Sequence, residues 1–256
     1  NILDIKPLGF PWETQDPFLF CAYHNDAYPK GDANMGVTPE LKKGRNIGSD
    51  FTVKDGFRMY HGSDVPGFPY HPHRGFETIT INKQGVVDHS DSLGASGRFM
   101  EGDVQWMTAG RGIQHSEMFP LLHEDKDNHL EIFQIWLNLP KASKMVDPHF
   151  KMLWKEDVPV INHKDENGNE TIIDVVAGKI NDVKAAASAP NSWAADPDNS
   201  VGVYTVKMSP NAKWTLPKTS KKASRTLFFY KGSSFKIDQS NFSVQNILQL
   251  KSDADI

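Results

Sequence analysis

Apolar and polar residues alternate in short runs along this chain, and turn residues close each run after a few positions. Leu130 to Leu139 reads Leu-Glu-Ile-Phe-Gln-Ile-Trp-Leu-Asn-Leu, rich in the β-branched and aromatic residues that suit a pleated surface. Phe76 to Ile81 and Val104 to Thr108 have the same character. Between Phe57 and Pro140, Gly62, Gly67, Gly75, Gly85, Gly94, Gly102, Gly110 and Gly112 interrupt the pattern, and no helical period develops. Frequent glycine with a period of two predicts an all-β unit, either a sandwich or a barrel.

A second strand-rich stretch follows, with candidates at Thr171 to Ala177, Val201 to Met208, Arg225 to Tyr230 and Val244 to Leu250. Polar or small-residue segments separate these runs. His163 to Glu170 and Val183 to Ser200 carry the Asn, Asp, Gly, Pro and Ala content of exposed loops. A chain of 256 residues accommodates two modest domains, and the pattern divides it into 1–140 and 141–256. The stretch from Leu216 to Lys221, followed by the apolar run Thr226 to Tyr230, reads as the second unit's counterpart of the region around His71. Fewer residues follow Gly232 than the first unit uses between Gly85 and Pro140, so the second unit is expected to be incomplete in this chain.

Composition narrows the functional classes. The net charge is -4, with no Lys/Arg block and no basic-aromatic alternation, which argues against direct binding to nucleic acid. Cys21 is the only cysteine, so no intrachain disulfide forms and a reducing compartment is expected. The first residues lack a basic start followed by a long apolar stretch, and no apolar run of about eighteen residues occurs. The expected location is the cytoplasm, away from any membrane, although the chain opens on Asn1 and an N-terminal piece has room to be missing.

All ten histidines lie between His24 and His163, so the second strand cluster cannot build a histidine site of its own. Two short motifs stand out among them: His71-Pro72-His73 and His115-Ser116-Glu117. On a β-strand, residues i and i+2 share a face, so each motif aims two potential ligands the same way. Converging strands would offer three imidazoles and one carboxylate to one ion and leave positions for water or substrate, as catalytic metal sites do. Glu77, counted along from His71 and His73, has the same parity and rivals Glu117 as the carboxylate ligand. Its other reading is an acid paired with Arg74, or one that orients a ligand imidazole. Phe57, Met59, Phe68, Trp106 and Met107 are candidates for an apolar mouth, although aromatic barrel residues more often form core. The remaining histidines read as ordinary surface or loop residues, with His61 and His89 the foremost exceptions.

The paired motifs resemble those of cupins, with Thr108 standing where the second cupin motif has proline and two extra residues before His115. Longer stretches, HPHRGFETIT from 71 to 80, GDVQWMTAGRGIQHSEM from 102 to 118 and IWLNLP from 135 to 140, resemble the pirin family. That resemblance implies two tandem cupin (double-stranded β-helix) barrels, of which only the N-terminal one binds metal. It places the family's ligands on His71, His73, His115 and Glu117. The metal it implies is Fe(II), with other divalent first-row ions able to use the same donors. It also implies a quercetin 2,3-dioxygenase-like activity on phenolic or enolic substrates with dioxygen, Glu117 accepting the proton of a flavonol 3-hydroxyl. The other function implied is a metal- or redox-dependent binding protein, acting on protein partners as a transcriptional cofactor or a modulator of a metabolic enzyme.

Overall fold

The alternating runs fold as strands from one end of the chain to the other in a computed structural model that describes residues 1–256. In chain order these begin with β1 (Ile2–Pro7), β2 (Phe18–Tyr28), β3 (Gly67–His73), β4 (Phe76–Gln84) and β5 (Val87–Asp91). Next come β6 (Ser96–Phe99), β7 (Val104–Thr108), β8 (Ile113–Met118), β9 (Asn128–Asn138) and β10 (His149–Leu153). The remainder are β11 (Val160–Lys164), β12 (Glu170–Ala177), β13 (Lys179–Ile180), β14 (Val183–Lys184), β15 (Val203–Met208), β16 (Arg225–Phe229), β17 (Ser234–Ile237), β18 (Ser240–Ser243) and β19 (Asn246–Leu250). One four-residue helix, α1 (Pro39–Lys42), and short 3-10 turns complete the chain. The expected all-β class is what the structure shows.

The strands group into two compact units, one of residues Ala22–Lys155 and the other of Asn1–Cys21 with Glu156–Ile256. In the first, one sheet runs in the order β10-β7-β4-β9-β2 and another in the order β3-β8-β5-β6. Tyr28, Phe57, Met59, Tyr60, Phe119 and Leu130 belong to its main apolar cluster. In the other unit, β1 pairs antiparallel with β19, which pairs on its far side with β16, so that strands from the two ends of the chain share one sheet. A second sheet runs β11-β12-β15. Two small apolar clusters sit in this unit, one around Ile173, Val175 and Ile180 and one around Ile237, Phe242 and Leu248.

Two expectations change at this level. His163 lies on β11, which pairs with β12, so the second strand cluster begins earlier than Thr171 and holds one histidine. Leu216 to Lys221 forms no strand; Leu216 instead exchanges backbone hydrogen bonds with Ile256. Its sequence likeness to the His71 region therefore does not extend to local structure.

Local chemistry explains how the four-stranded sheet is built. Pro72 falls next to the end of β3, opposite Gln114, and β3 is an edge strand, the position in a sheet where a residue without an N–H is tolerated. Phe68 pairs with Glu117 and His71 with His115, so β3 spends one more residue than β8 across this interval. This bulge puts Phe68 and His71, three apart in sequence, on the same face.

Candidate metal centre

Strand alternation along β8 buries Ile113, His115 and Glu117 while Gln114 faces solvent. Its neighbours are β3, where His71 stands opposite His115, and β5, where Asp91 stands opposite His115 and His89 opposite Glu117. Three adjacent strands thus each contribute a pair at i and i+2: His71 and His73, His115 and Glu117, His89 and Asp91. The third pair, His89-Ser90-Asp91, has the same form as His115-Ser116-Glu117. It was legible as a motif, yet the sequence reading set aside only His89 and passed over Asp91.

Ring nitrogens of His71, His73 and His115 all lie within 4.8 Å of one another, and no other group of three such side chains in the chain is placed to hold a metal. His71 Nε2 is 3.0 Å from His73 Nε2. Adjacent donors around an ion with bonds of about 2.1 Å are about 3.0 Å apart when the bonds meet at a right angle, so this spacing fits a shared cation. His71 Nδ1 lies 2.8 Å from the Pro69 carbonyl, to which it donates, leaving the Nε2 lone pair facing the site. His115 Nε2 is buried and has no hydrogen-bond partner. Three imidazoles crowded together, one with an unpartnered inward nitrogen, suit a metal far better than they suit one another.

Electrostatics agree with that assignment. Burial, together with His115 and His71 nearby, pushes the His73 pKa down to about 3. His115 is likewise lowered to about 3, by burial first and then by His71 and His89. Both rings are therefore neutral at physiological pH, the form that donates a lone pair.

Glu117 stands just behind the imidazoles, with Oε2 3.8 Å from His115 Nε2. Burial raises its pKa, opposed by His71 and His89 and by two hydrogen bonds. Thr80 Oγ1 donates to Oε1 at 3.1 Å, and Gln134 Nε2 donates to Oε2 at 2.9 Å. Thr80 on β4 and Gln134 on β9 are direct cross-strand partners, so the opposing sheet presents both donors in one row. Gln134 Oε1 continues to His24 Nε2 at 2.8 Å, His24 Nδ1 to the Tyr60 hydroxyl at 2.6 Å, and Tyr60 donates to Asp26 at 2.7 Å. Asp26 in turn holds Arg58 through Nε and Nη2. His24 was expected to be a surface or loop residue. It is instead buried in this chain of polar groups, where burial and Arg58 lower its pKa to about 3.

Glu77 has a different environment. A turn at Arg74 and Gly75 separates β3 from β4, so the parity counted from His71 does not carry through to it. Thr80, which contacts Glu117, and Glu77 fall on opposite faces of β4. Glu77 accepts a hydrogen bond from Thr108 at 2.7 Å, its neighbour across the strands, while Arg74 contacts Met145.

The apolar surroundings also differ from expectation. Phe57 and Met59 belong to the buried cluster, and Trp106 pairs with Ile79 on the face of β4 away from Thr80. Met107 packs with Ala109 and Ile113. Of the five residues expected at the mouth, Phe68 is the one with a ring beside the site, its centroid 6.3 Å from that of His71. Phe76 and Trp136, which the sequence reading did not single out, flank His73 at 5.0 and 5.1 Å and stack on each other at 4.2 Å. A shallow, open depression of about 450 Å³ lies over Pro72, His73, Arg74, Ser92, Gly112, Ile113 and Gln114, on the side of the β3–β8 pair to which Pro72 and Gln114 point.

Comparison with known proteins places this geometry among relatives. The family model described as Pirin matches residues 11–137. A protein of Thermoplasma acidophilum named "Putative quercetin 2,3-dioxygenase Ta0133" is 34% identical over 193 residues, covering 72% of this chain and 71% of that protein. Pirin-1 of Arabidopsis thaliana is 48% identical over 119 residues, 46% of this chain and 38% of its own length. Among solved structures, a quercetin 2,3-dioxygenase from Acinetobacter baumannii superposes with a TM-score of 0.70 at 26% identity, covering 99% of this chain and 80% of that one. The two β units are accordingly those of a bicupin.

Proposed function

Since the chain belongs to the pirin family, we propose that it is a metal-dependent dioxygenase acting on flavonol-type substrates such as quercetin. The observation that carries this reading is the convergence of His71, His73 and His115 on one point, with Glu117 behind them. The centre belongs to the unit of residues Ala22–Lys155, and the unit of Asn1–Cys21 with Glu156–Ile256 contributes no ligand. His71, His73, His115 and Glu117 hold the ion, which we assign as Fe(II) on the strength of a neutral-nitrogen and carboxylate donor set. When bound, the metal supplies the Lewis acidity and redox capacity that opening a flavonol ring with dioxygen requires.

The chain's own residues perform the remaining tasks. Glu117 accepts the proton of the substrate's 3-hydroxyl, and its burial supports this by making the carboxylate a stronger base than one in water. Thr80 and Gln134 fix the direction in which its lone pairs point. Phe76 and Trp136 form an apolar wall beside His73, against which an aromatic substrate stacks and from which water is excluded.

The test is anaerobic purification, elemental analysis, reconstitution with Fe(II), and simultaneous measurement of oxygen uptake and loss of flavonol absorbance. Turnover in the wild-type chain that vanishes in His73→Ala is the expected result. Stoichiometric iron without oxygen uptake on any flavonol would overturn the enzymatic reading and favour a metal-dependent binding protein.

A further inference from the structure

His89 and Asp91 stand on β5 beside the imidazole cluster, fully enclosed, with side chains 0% and 1% exposed. The Asp91 carboxylate is held from two directions. Its Oδ1 accepts the backbone N–H groups of Leu93 at 2.8 Å and Ala95 at 3.2 Å, in the turn that closes the β5–β6 hairpin. Its Oδ2 faces His89 Nε2 at 3.1 Å. The His89 ring is braced by Phe150, with centroids 4.9 Å apart, and turns its Nδ1 to His115 Nδ1 at 3.4 Å. The line from Asp91 through His89 ends on the one ring whose inward nitrogen, His115 Nε2, has no hydrogen-bond partner.

A carboxylate only accepts, and a neutral imidazole has a single N–H. With that N–H spent on Asp91, His89 Nδ1 is left as an acceptor. His115 must then place its own proton on Nδ1 to meet it, which leaves the Nε2 lone pair directed at His71 and His73. We propose that Asp91 and His89 form a two-residue relay that selects the metal-binding tautomer of His115. The inference deepens the metal centre proposed above and rests on it. It makes His89 and Asp91 positioning residues, acting on the ion only through His115, in the way that a carboxylate commonly orients a ligand histidine directly. The intervening imidazole lets the carboxylate sit one ring further out, within the hairpin turn.

Two substitutions separate direction from bulk. Asp91→Asn keeps the side-chain oxygen that the turn amides need but replaces Oδ2 with a donor. His89 then accepts from it, donates to His115 Nδ1, and drives the His115 proton onto Nε2, where it blocks the site. His89→Gln preserves both directions, its amide donating to Asp91 and its carbonyl accepting from His115. The full chain, nitrogen-15 labelled and metal-free at about pH 8, where an ordinary imidazole is neutral, reports the tautomer directly through ring nitrogen shifts. Co(II) alone is the probe for affinity, followed by its visible absorption under competition from a chelator.

The expected result is an Nδ1–H tautomer for His115 in the wild-type chain, an Nε2–H tautomer in Asp91→Asn, and Co(II) affinity about 10- to 100-fold weaker in that variant. His89→Gln should stay near the wild-type value. An Nε2–H tautomer in a wild-type chain that binds Co(II), or wild-type affinity in a folded Asp91→Asn chain, would overturn the relay and leave the metal centre standing. A wild-type chain that shows the Nδ1–H tautomer and takes up no Co(II) would remove the metal centre itself, and with it the purpose of the relay.

Discussion

Glu117 and Glu77 differ in chemistry because of where each side chain points. Both were candidates from spacing, since an acid six positions from a histidine looks the same whether or not a turn intervenes. The turn at Gly75, with φ at +77°, breaks the count and sends Glu77 to the far face of β4. Glu117 shares a continuous strand with His115, so its parity survived the passage from sequence to structure. If it is the general base, Glu117→Gln should lower kcat by about 10²- to 10⁴-fold in the iron-loaded enzyme, more than any change in KM, as steady-state oxygen uptake would show. An unchanged kcat would move the proton acceptor elsewhere. The His89-Ser90-Asp91 pair shows the opposite limit of sequence reading. Its form matched a motif already recognised, and what was missing was the register that sets Asp91 opposite His115.

At the scale of elements, the centre depends on how β3 lies against β8. Sequence patterning located β4, β7, β9, β12, β15, β16 and β19 closely, because runs of β-branched and aromatic residues bounded by turn residues mark strands, whether one face is buried, as in β12, or both, as in β4 and β7. The bulge in β3 left no such trace, since an inserted residue is identifiable only against its partner strand. Gly67 begins β3 at φ +132°, and a Cβ there would sit 2.5 Å from the Glu117 carbonyl oxygen and 2.8 Å from the Met118 Cα. Both are backbone atoms of β8, which cannot swing aside as a side-chain tip would. Gly67→Ala should therefore cost about 1–3 kcal/mol from backbone conformation, with steric overlap added, as urea unfolding of the metal-free chain would measure. It should also lower bound metal per chain, because separating β3 from β8 separates His71 and His73 from His115. A stable variant with full metal content would show that this end of the β3–β8 pair is dispensable.

For the whole molecule, buried neutral imidazoles couple stability to pH. His24, His73 and His115 have folded-state pKa values lowered to about 3, against an ordinary value of about 6.5 in the unfolded chain. Between these limits the unfolded chain binds more protons than the folded one, so stability is greatest above about pH 6.5 and declines as the pH falls toward 3. The midpoint of thermal unfolding of the metal-free protein should drop steadily across that interval. Saturating metal should raise the midpoint at pH 7, about 2.7 kcal/mol of stabilisation accompanying ligand at a hundredfold excess over its Kd, and the benefit should fade as the ligands protonate. A midpoint indifferent to both pH and metal would contradict the buried neutral state of these rings. By itself the sequence determined the all-β class, most strand positions and the pairing of ligands at i and i+2, because strand geometry turns spacing directly into facing. Only the tertiary structure decided which strands become neighbours: β1 beside β19, β5 beside β8, and the Thr80–Gln134 row against Glu117. Those adjacencies join residues far apart in the chain, and their energies depend on burial and hydrogen-bond direction, neither of which a local pattern contains.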